Sequence, residues 1–293
     1  MFKGWKKSKS EEVKPTVALD SADKNDYDVV VSMLSDVGCV REINEDSGRY
    51  TRPKEPDLAS RRGTLVLVAD GMGGHSAGEV ASHMAVELID HTYYNKNGTP
   101  RQALEAAFHA ANKAINQRST SNPTMGGMGT TCTALALQNG SAIAAHVGDT
   151  RLYMIRNGQI YLMTEDHSAV MEMVKRGWIS LDEARHHPEK NVILRALGSH
   201  EDVEVTIWET PLPIKPGDKF LLCSDGLYDL VEDEEMKRIA EANLPAEACS
   251  NLIALAKQRG GHDNITVAIV SLQPRDSQPE RPAPETRQVE VPR

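Results

Sequence analysis

Cys132–Asp149 reads CTALALQNGSAIAAHVGD, two apolar runs separated by Gln138-Asn139-Gly140. Asn-Gly is the favoured two-residue hairpin turn, because both of its central positions need a positive φ. The runs therefore form an antiparallel pair. Working outward, Arg151–Arg156 and 159–163 flank a second Asn-Gly, Asn157-Gly158, and make another hairpin. Apolar runs bounded by turn residues predict further strands at 29–36, 64–69, 203–208, 219–223 and 265–271, with the first hairpin covering 130–137 and 141–147.

Helical periodicity appears in blocks. Val80, Met84, Leu88 and Ile89 recur at helical spacing from Ala77 to about Tyr94. Thr99-Pro100-Arg101-Gln102 offers an N-cap, a proline at the first helical position and a glutamine that completes a capping box. That helix continues through Leu104, Phe108, Ala111 and Ile115, and Ser180–Glu183 opens a shorter one in the same way. Two more are predicted over 234–243 and 246–259, the last ending at Gly260-Gly261. Helices do not follow each strand, which argues for an α+β chain and against a doubly wound parallel sheet.

Three apolar stretches end in an aspartate beside a glycine: TLVLVADG at Asp70-Gly71, SAIAAHVGD at Gly148-Asp149 and KFLLCSDG at Asp225-Gly226. A fourth aspartate, Asp263 in GGHDN, precedes the run Ile265–Val270. Any single Asp-Gly at a strand end is most often a turn. Four carboxylates at the edges of buried strands are costly without positive charge beside them, and together they suggest a shared divalent cation site. The glycines would let the backbone turn and a carbonyl approach an ion. In CVREINEDS, Arg41, Glu45 and Asp46 follow another apolar strand. Beside a metal cluster such an arginine can be a fork for phosphate, whereas on a surface it is an ion-pair partner of little worth.

The remaining features narrow the class. A chain of 293 residues with 40% hydrophobic content supports one sizeable core, and 4% aromatics means it rests on aliphatic residues. A net charge of −9 argues against a nucleic-acid partner. Cys39, Cys132, Cys223 and Cys249 lie far apart and read as reduced, buried thiols of a cytoplasmic protein. No apolar run reaches the roughly 18 residues of a membrane span. Residues 1–26 and 273–293 lack hydrophobic periodicity and read as tails, the first basic with Trp5 among lysines, the second rich in Pro, Glu and Arg with a weak PxxP at Pro279–Pro282. The glycine-rich 71–78 stretch has no GK[ST], so it is not a P-loop, and the ten histidines show no ligand spacing.

Taken in order, REINEDS (41–47), VADGMGGH (68–75), GMGTT (127–131), VGDTR (147–151), TEDHS (164–168), LCSDGLYD (222–229) and HDNITV (262–267) resemble the metal-dependent, type 2C protein serine/threonine phosphatases, especially their bacterial branch. HPEKNVILRALG (187–198) is similar to that branch too, and the resemblance covers about Asp28 to Leu272, making 27–272 the expected catalytic domain. It implies two antiparallel β-sheets packed as a sandwich with helices on both outer faces, and a metal cleft at one edge. It also implies hydrolysis of phosphoserine and phosphothreonine in proteins by a metal-activated water, opposing a Ser/Thr kinase, with two or three Mn²⁺ or Mg²⁺ ions. In that pattern Asp70 bridges two ions with the Gly71 carbonyl, Asp225 and Asp263 complete one, Glu45 serves the other through water, and Asp149 shares a third with Asp225. Arg41 holds the phosphate, and Asp46 orients bound water. The likeness further implies a monomer with a substrate-selecting flap between about Met163 and Gly198. One departure stands out: many eukaryotic members place a histidine after the Asp-Gly pair, where this chain has Met72 and, three residues on, His75. Two other readings are a phosphoprotein-binding module without turnover and a phosphatase of small phosphoesters.

Overall fold

The computed structural model describes residues 27–73 and 77–275. One sheet runs in the order β1 (Tyr27–Asp36), β12 (Ile265–Pro274), β11 (Lys219–Cys223), β7 (Arg151–Arg156), β8 (Gln159–Leu162). The other runs β10 (Leu212–Pro213), β6 (Ser141–Val147), β5 (Cys132–Gln138), β3 (Thr64–Met72), β2 (Asp46–Thr51), with β4 (Gly129–Thr130) on β3 and β9 (Thr206–Ile207) on β6. Every pairing is antiparallel.

Alternation along the strands builds the layers. On β3, Leu65, Leu67 and Ala69 pack under α2 (Ala77–Asn95) and α3 (Pro100–Ser121), while Val66 and Val68 face the other sheet. On β11 and β12, Phe220, Leu222, Ala268 and Val270 meet them between the sheets, while Leu221, Val267 and Ile269 pack under α7 (Asp233–Ala242) and α8 (Pro245–Gln258). The α-β-β-α sandwich is thus the expected one. Its packing is dense with alanine: Ala81, Ala85, Ala103, Ala107 and Ala111 let α2 and α3 lie close to Ala134, Ala136 and Ala145.

Both Asn-Gly turns have the conformation their chemistry favours, with Asn139 at φ 47°, Gly140 at 75°, Asn157 at 54° and Gly158 at 71°. The capping boxes at Thr99–Gln102 and Ser180–Glu183 are both formed, the latter opening α5 (Leu181–Arg185). Several expectations change. The strand expected at 130–137 breaks at Thr131, whose amide donates to the Asp70 carbonyl at 2.9 Å. The strand at 203–208 shrinks to β9. β12 continues to Pro274, because Gln273 and Pro274 pair with Asp28 and Tyr27, so the folded unit outruns 272. Strand β2 and helices α1 (Pro56–Arg62), α4 (Ala169–Lys175) and α6 (Asp225–Tyr228) carry no strong periodicity and were not expected. Cys39 is exposed, unlike the three buried thiols. Trp5, His75, Pro279 and Pro282 lie outside the described residues.

The hairpin turn offers a local test. A Cβ-branched side chain in the left-handed region costs roughly 1–2 kcal/mol. Gly140→Val should lower the urea-unfolding free energy by about that amount while leaving turnover intact, because the turn sits at the strand ends opposite Asp149.

Candidate metal centre

Alternation on β3 carries Asp70 to the same face as Val66 and Val68, where the space between the sheets opens. Four other segments end there. The β1–β2 loop brings Arg41 and Glu45, the β6–β7 loop brings Asp149, the start of α6 brings Asp225, and the turn before β12 brings Asp263 and Asn264. Together with Gly71, Asn191 and Ile193 they line a cleft of about 230 Å³. Asp225 is therefore the first residue of a helical turn rather than the end of a strand.

Two devices hold these segments in place. The buried Asn264 amide accepts from the Glu45 amide at 2.8 Å and donates to the Val37 and Ile43 carbonyls, both at 3.0 Å. It thereby pins the β1–β2 loop beside Asp263. The second device is close backbone approach. Gly71 lies in extended strand, where a Cβ would come 2.1 Å from the Gly78 carbonyl oxygen and 2.5 Å from that of Glu45. Glycine is needed there for contact with α2, not for the sharp turn expected from the sequence. Gly78 is equally confined, its would-be Cβ only 2.4 Å from Glu45 Oε1.

Asp46 stands apart. It pairs with Asp70 across β2 and β3 but lies behind the cleft wall, where its Oδ2 accepts the Ser224 hydroxyl at 2.6 Å. Asp149 does not bond to Arg151, the partner a simple turn would give it. The Arg151 fork instead grips Asp166, with Nη2 at 2.7 Å, and Asp149 accepts from the Tyr228 hydroxyl at 3.4 Å. Arg41 is half-exposed and donates through Nη2 to Asp263 Oδ2 at 2.8 Å. Asn264, Thr131 and Ser224 were missed from sequence. Adjacency to Asp263 in HDN was the available signal for Asn264.

The electrostatics are those of an anionic site short of positive charge. Burial, then the neighbouring carboxylates, raise Asp70 and Asp225 well above the ordinary carboxylate range. Burial lifts Asp46 to about 6 and Asp149 to about 7, Asp166 adding to the latter. Burial raises Glu45 as well, though Arg41 opposes it. Buried Glu45 Oε1, Asp46 Oδ1 and Asp225 Oδ1 have no hydrogen-bond partner. Orphaned carboxylate oxygens of this kind fit divalent oxygen-seeking cations. No group of three acidic, His or Cys side chains among the described residues is arranged to hold an ion alone. Carboxylates, the Gly71 carbonyl and water would have to share each coordination shell.

The buried histidines belong to the frame and not to the cleft. His146 Nδ1 shares a hydrogen with Thr133 Oγ1 at 2.8 Å, and His167 Nδ1 accepts the Gly148 amide at 3.0 Å.

A sequence profile described as Protein phosphatase 2C matches residues 57–257. The chain belongs to the protein phosphatase 2C family. The serine/threonine protein phosphatase PstP of Mycobacterium tuberculosis is 40% identical over 239 residues, a match covering 81% of this chain and 44% of that protein. The serine/threonine phosphatase stp of Listeria monocytogenes is 38% identical over 242 residues, covering 80% and 93%. Thus the chain spans less than half of the mycobacterial relative and nearly all of the listerial one. A crystal structure of the PstP catalytic domain in complex with two manganese ions superposes with a TM-score of 0.71 at 36% identity, covering 84% of this chain and 98% of that one. This family member shares with them the sandwich, and the acidic cleft stands at its edge.

Two outcomes follow from the geometry. Gly78→Ala should lower the melting temperature despite the helix preference of alanine, because its Cβ would come 2.9 Å from the Gly71 backbone carbon as well as against Glu45. It should weaken Mn²⁺ binding in calorimetry, because the new methyl displaces Glu45. The second concerns pH. Asp46 and Asp149 have folded pKa values of about 6 and 7, above the roughly 3.9 of an unfolded aspartate. The metal-free native chain thus binds extra protons between these values, and its stability is greatest below about pH 4 for this contribution and is lost as pH rises through about 7. Added Mn²⁺ offsets the repulsion that returns with ionisation. Its gain in melting temperature should be larger at pH 7.5 than at pH 5.

Proposed function

We propose that this chain hydrolyses phosphoserine and phosphothreonine in proteins, with Mn²⁺ or Mg²⁺ as cofactor. The observation that carries the reading is the gathering of five carboxylates on one cleft, two of them (Glu45 and Asp225) with an orphaned buried oxygen, and a single basic side chain, Arg41, on its wall. Asp70, the Gly71 carbonyl, Glu45, Asp225 and Asp263 would hold two ions, and Asp149 with Asp225 a third. Such ions, when bound, activate a water for attack on phosphorus and shield the phosphate charge.

The chain's own groups do the rest. Arg41 keeps only part of its fork on Asp263, and its exposure leaves the guanidinium able to turn toward phosphate oxygens. Asp46, held by Ser224, presents its other oxygen from behind Asp70 and orients what binds there. Met72 supplies no proton at the position after Asp-Gly, and no described histidine lines the cleft. Asn191 and Ile193, from the segment expected to be a flap, stand on the cleft wall.

Phosphoprotein substrates imply an opposing Ser/Thr kinase. The reading takes the chain as a monomer acting in the cytoplasm, with nucleic acid excluded as a partner by its negative charge. Among the described residues no helix is long and apolar enough to cross a membrane.

Activity on a phosphothreonine peptide and on sugar phosphates, after dialysis against EDTA and again with Mn²⁺, tests the proposal. Peptide turnover should vanish and return. Full activity in excess EDTA would sink the metal-dependent reading, and a preference for sugar phosphates would favour small phosphoesters as substrates. Asp225→Asn should lower kcat by at least about 10²-fold. Arg41→Ala should lower kcat/KM roughly 10- to 150-fold, the equivalent of a charged contact of about 1.5–3 kcal/mol. Unchanged kinetics in the latter would reduce Arg41 to an ion-pair partner.

A further inference from the structure

Tyr228 and Arg151 form a partly buried assembly behind Asp149 that none of the roles above explains. We propose that Tyr228, braced by Arg151, is a positioning residue that sets the Asp149 carboxylate for the weakest-held cation. This rests on the metal-dependent reading given above.

The geometry runs in one chain of contacts. Asp225 opens the single turn of α6 and Tyr228 closes it, so the phenol is attached to the same rigid turn as a principal carboxylate. Its hydroxyl donates to Asp149 Oδ2 at 3.4 Å, across a gap of 79 residues in sequence. The phenol is packed on one face by the Arg151 guanidinium, whose carbon lies 3.7 Å from the ring centroid. Arg151 is itself held by Asp166 and Tyr153. Its Nε reaches both Asp166 oxygens at 3.1 and 3.2 Å, its Nη2 reaches Asp166 Oδ2 at 2.7 Å, and its Nη1 donates to the Tyr153 hydroxyl at 3.2 Å.

The Asp149 loop needs such a brace. Gly148 holds φ at 105°, and the carboxylate that follows is buried among Asp70, Asp225 and Asp166, all of like charge. Left alone it would turn from them. A donor on Oδ2 gives the carboxylate one partner and links Asp149 through one hydroxyl to the turn that carries Asp225. The phenol therefore costs the site no charge and adds no ligand. It fixes where a ligand stands. A phenylalanine would keep the ring and its stacking but lose this bond, and a lysine at 151 would keep the charge but lose both fork and stacking.

Calorimetric titration of the metal-free full chain with Mn²⁺, run beside the Mn²⁺ dependence of phosphopeptide turnover, tests this. The parent should show two tighter binding steps and one weaker step, and Asp149→Ala should lack the weaker one. In Tyr228→Phe the weaker step should move to about fivefold higher Mn²⁺, the effect of one lost hydrogen bond. The tighter steps and the KM should stay in place, excess Mn²⁺ should restore kcat, and the metal-free melting temperature should stay within about 2 °C of the parent. Arg151→Lys should shift the same step, and the double variant should shift it no further than Arg151→Lys alone, because the two residues act in series. An isotherm for Tyr228→Phe identical to the parent's would overturn the proposal, as would all steps weakening together with a fall in melting temperature, which would mark a packing role only. Retention of every binding step in Asp149→Ala overturns it too. A parent that binds no Mn²⁺ would instead refute the metal-dependent reading on which the proposal stands.

Discussion

Like charges buried together repel, and the open edge of this sandwich holds Glu45, Asp70, Asp149, Asp225 and Asp263 around one small cleft. Each stands on a different segment, so the fold brings their backbones together from five separate parts of the chain. The strain appears as raised proton affinity and as oxygens without partners. Much of the surrounding structure serves to keep those groups where they are. Asn264 ties the β1–β2 loop to the turn before β12, Thr131 ties the end of β3 to β5, and the Asp166–Arg151–Tyr228 assembly backs the β6–β7 loop. The core on either side is conventional aliphatic packing. Its contribution to the site is rigidity.

The same constraint explains why small residues crowd the cleft floor. Glu45 reaches the site only because Gly71 and Gly78 let β3 and the start of α2 approach closely enough for the loop carbonyl and side chain to fit between them. Asp46 and Asp149 accept from the neutral hydroxyls of Ser224 and Tyr228, which hold them in place without neutralising their charge.

Much of this was legible in the chain. Asn139-Gly140 and Asn157-Gly158 specify their hairpins locally, through positive φ, and the capping boxes at Thr99 and Ser180 specify helix starts in the same local way. The cleft residues Asp70, Asp149, Asp225 and Asp263 stood out because a carboxylate at the end of an apolar run is energetically conspicuous. What stayed hidden depends on tertiary context. β2 is a polar edge strand held by its pairing with β3, so its own residues carry no alternation to read. The helical turn at Asp225 looks like a simple strand end. The partner of Arg151 was not legible, because Asp166 lies 15 residues away in sequence. Asn264 works through three backbone groups, none predictable without knowing how the loop folds.

Strand β12 has a further consequence. Its pairing with β1 sets Asp36 beside Ile265 at the cleft end and Tyr27 beside Pro274 at the other. Ten residues of strand span roughly 30 Å. The two ends of the folded unit therefore leave side by side from the pole opposite the chemistry. A short linker from Tyr27 to Pro274 would join the two, and the chain could then be reopened elsewhere without disturbing the acidic edge.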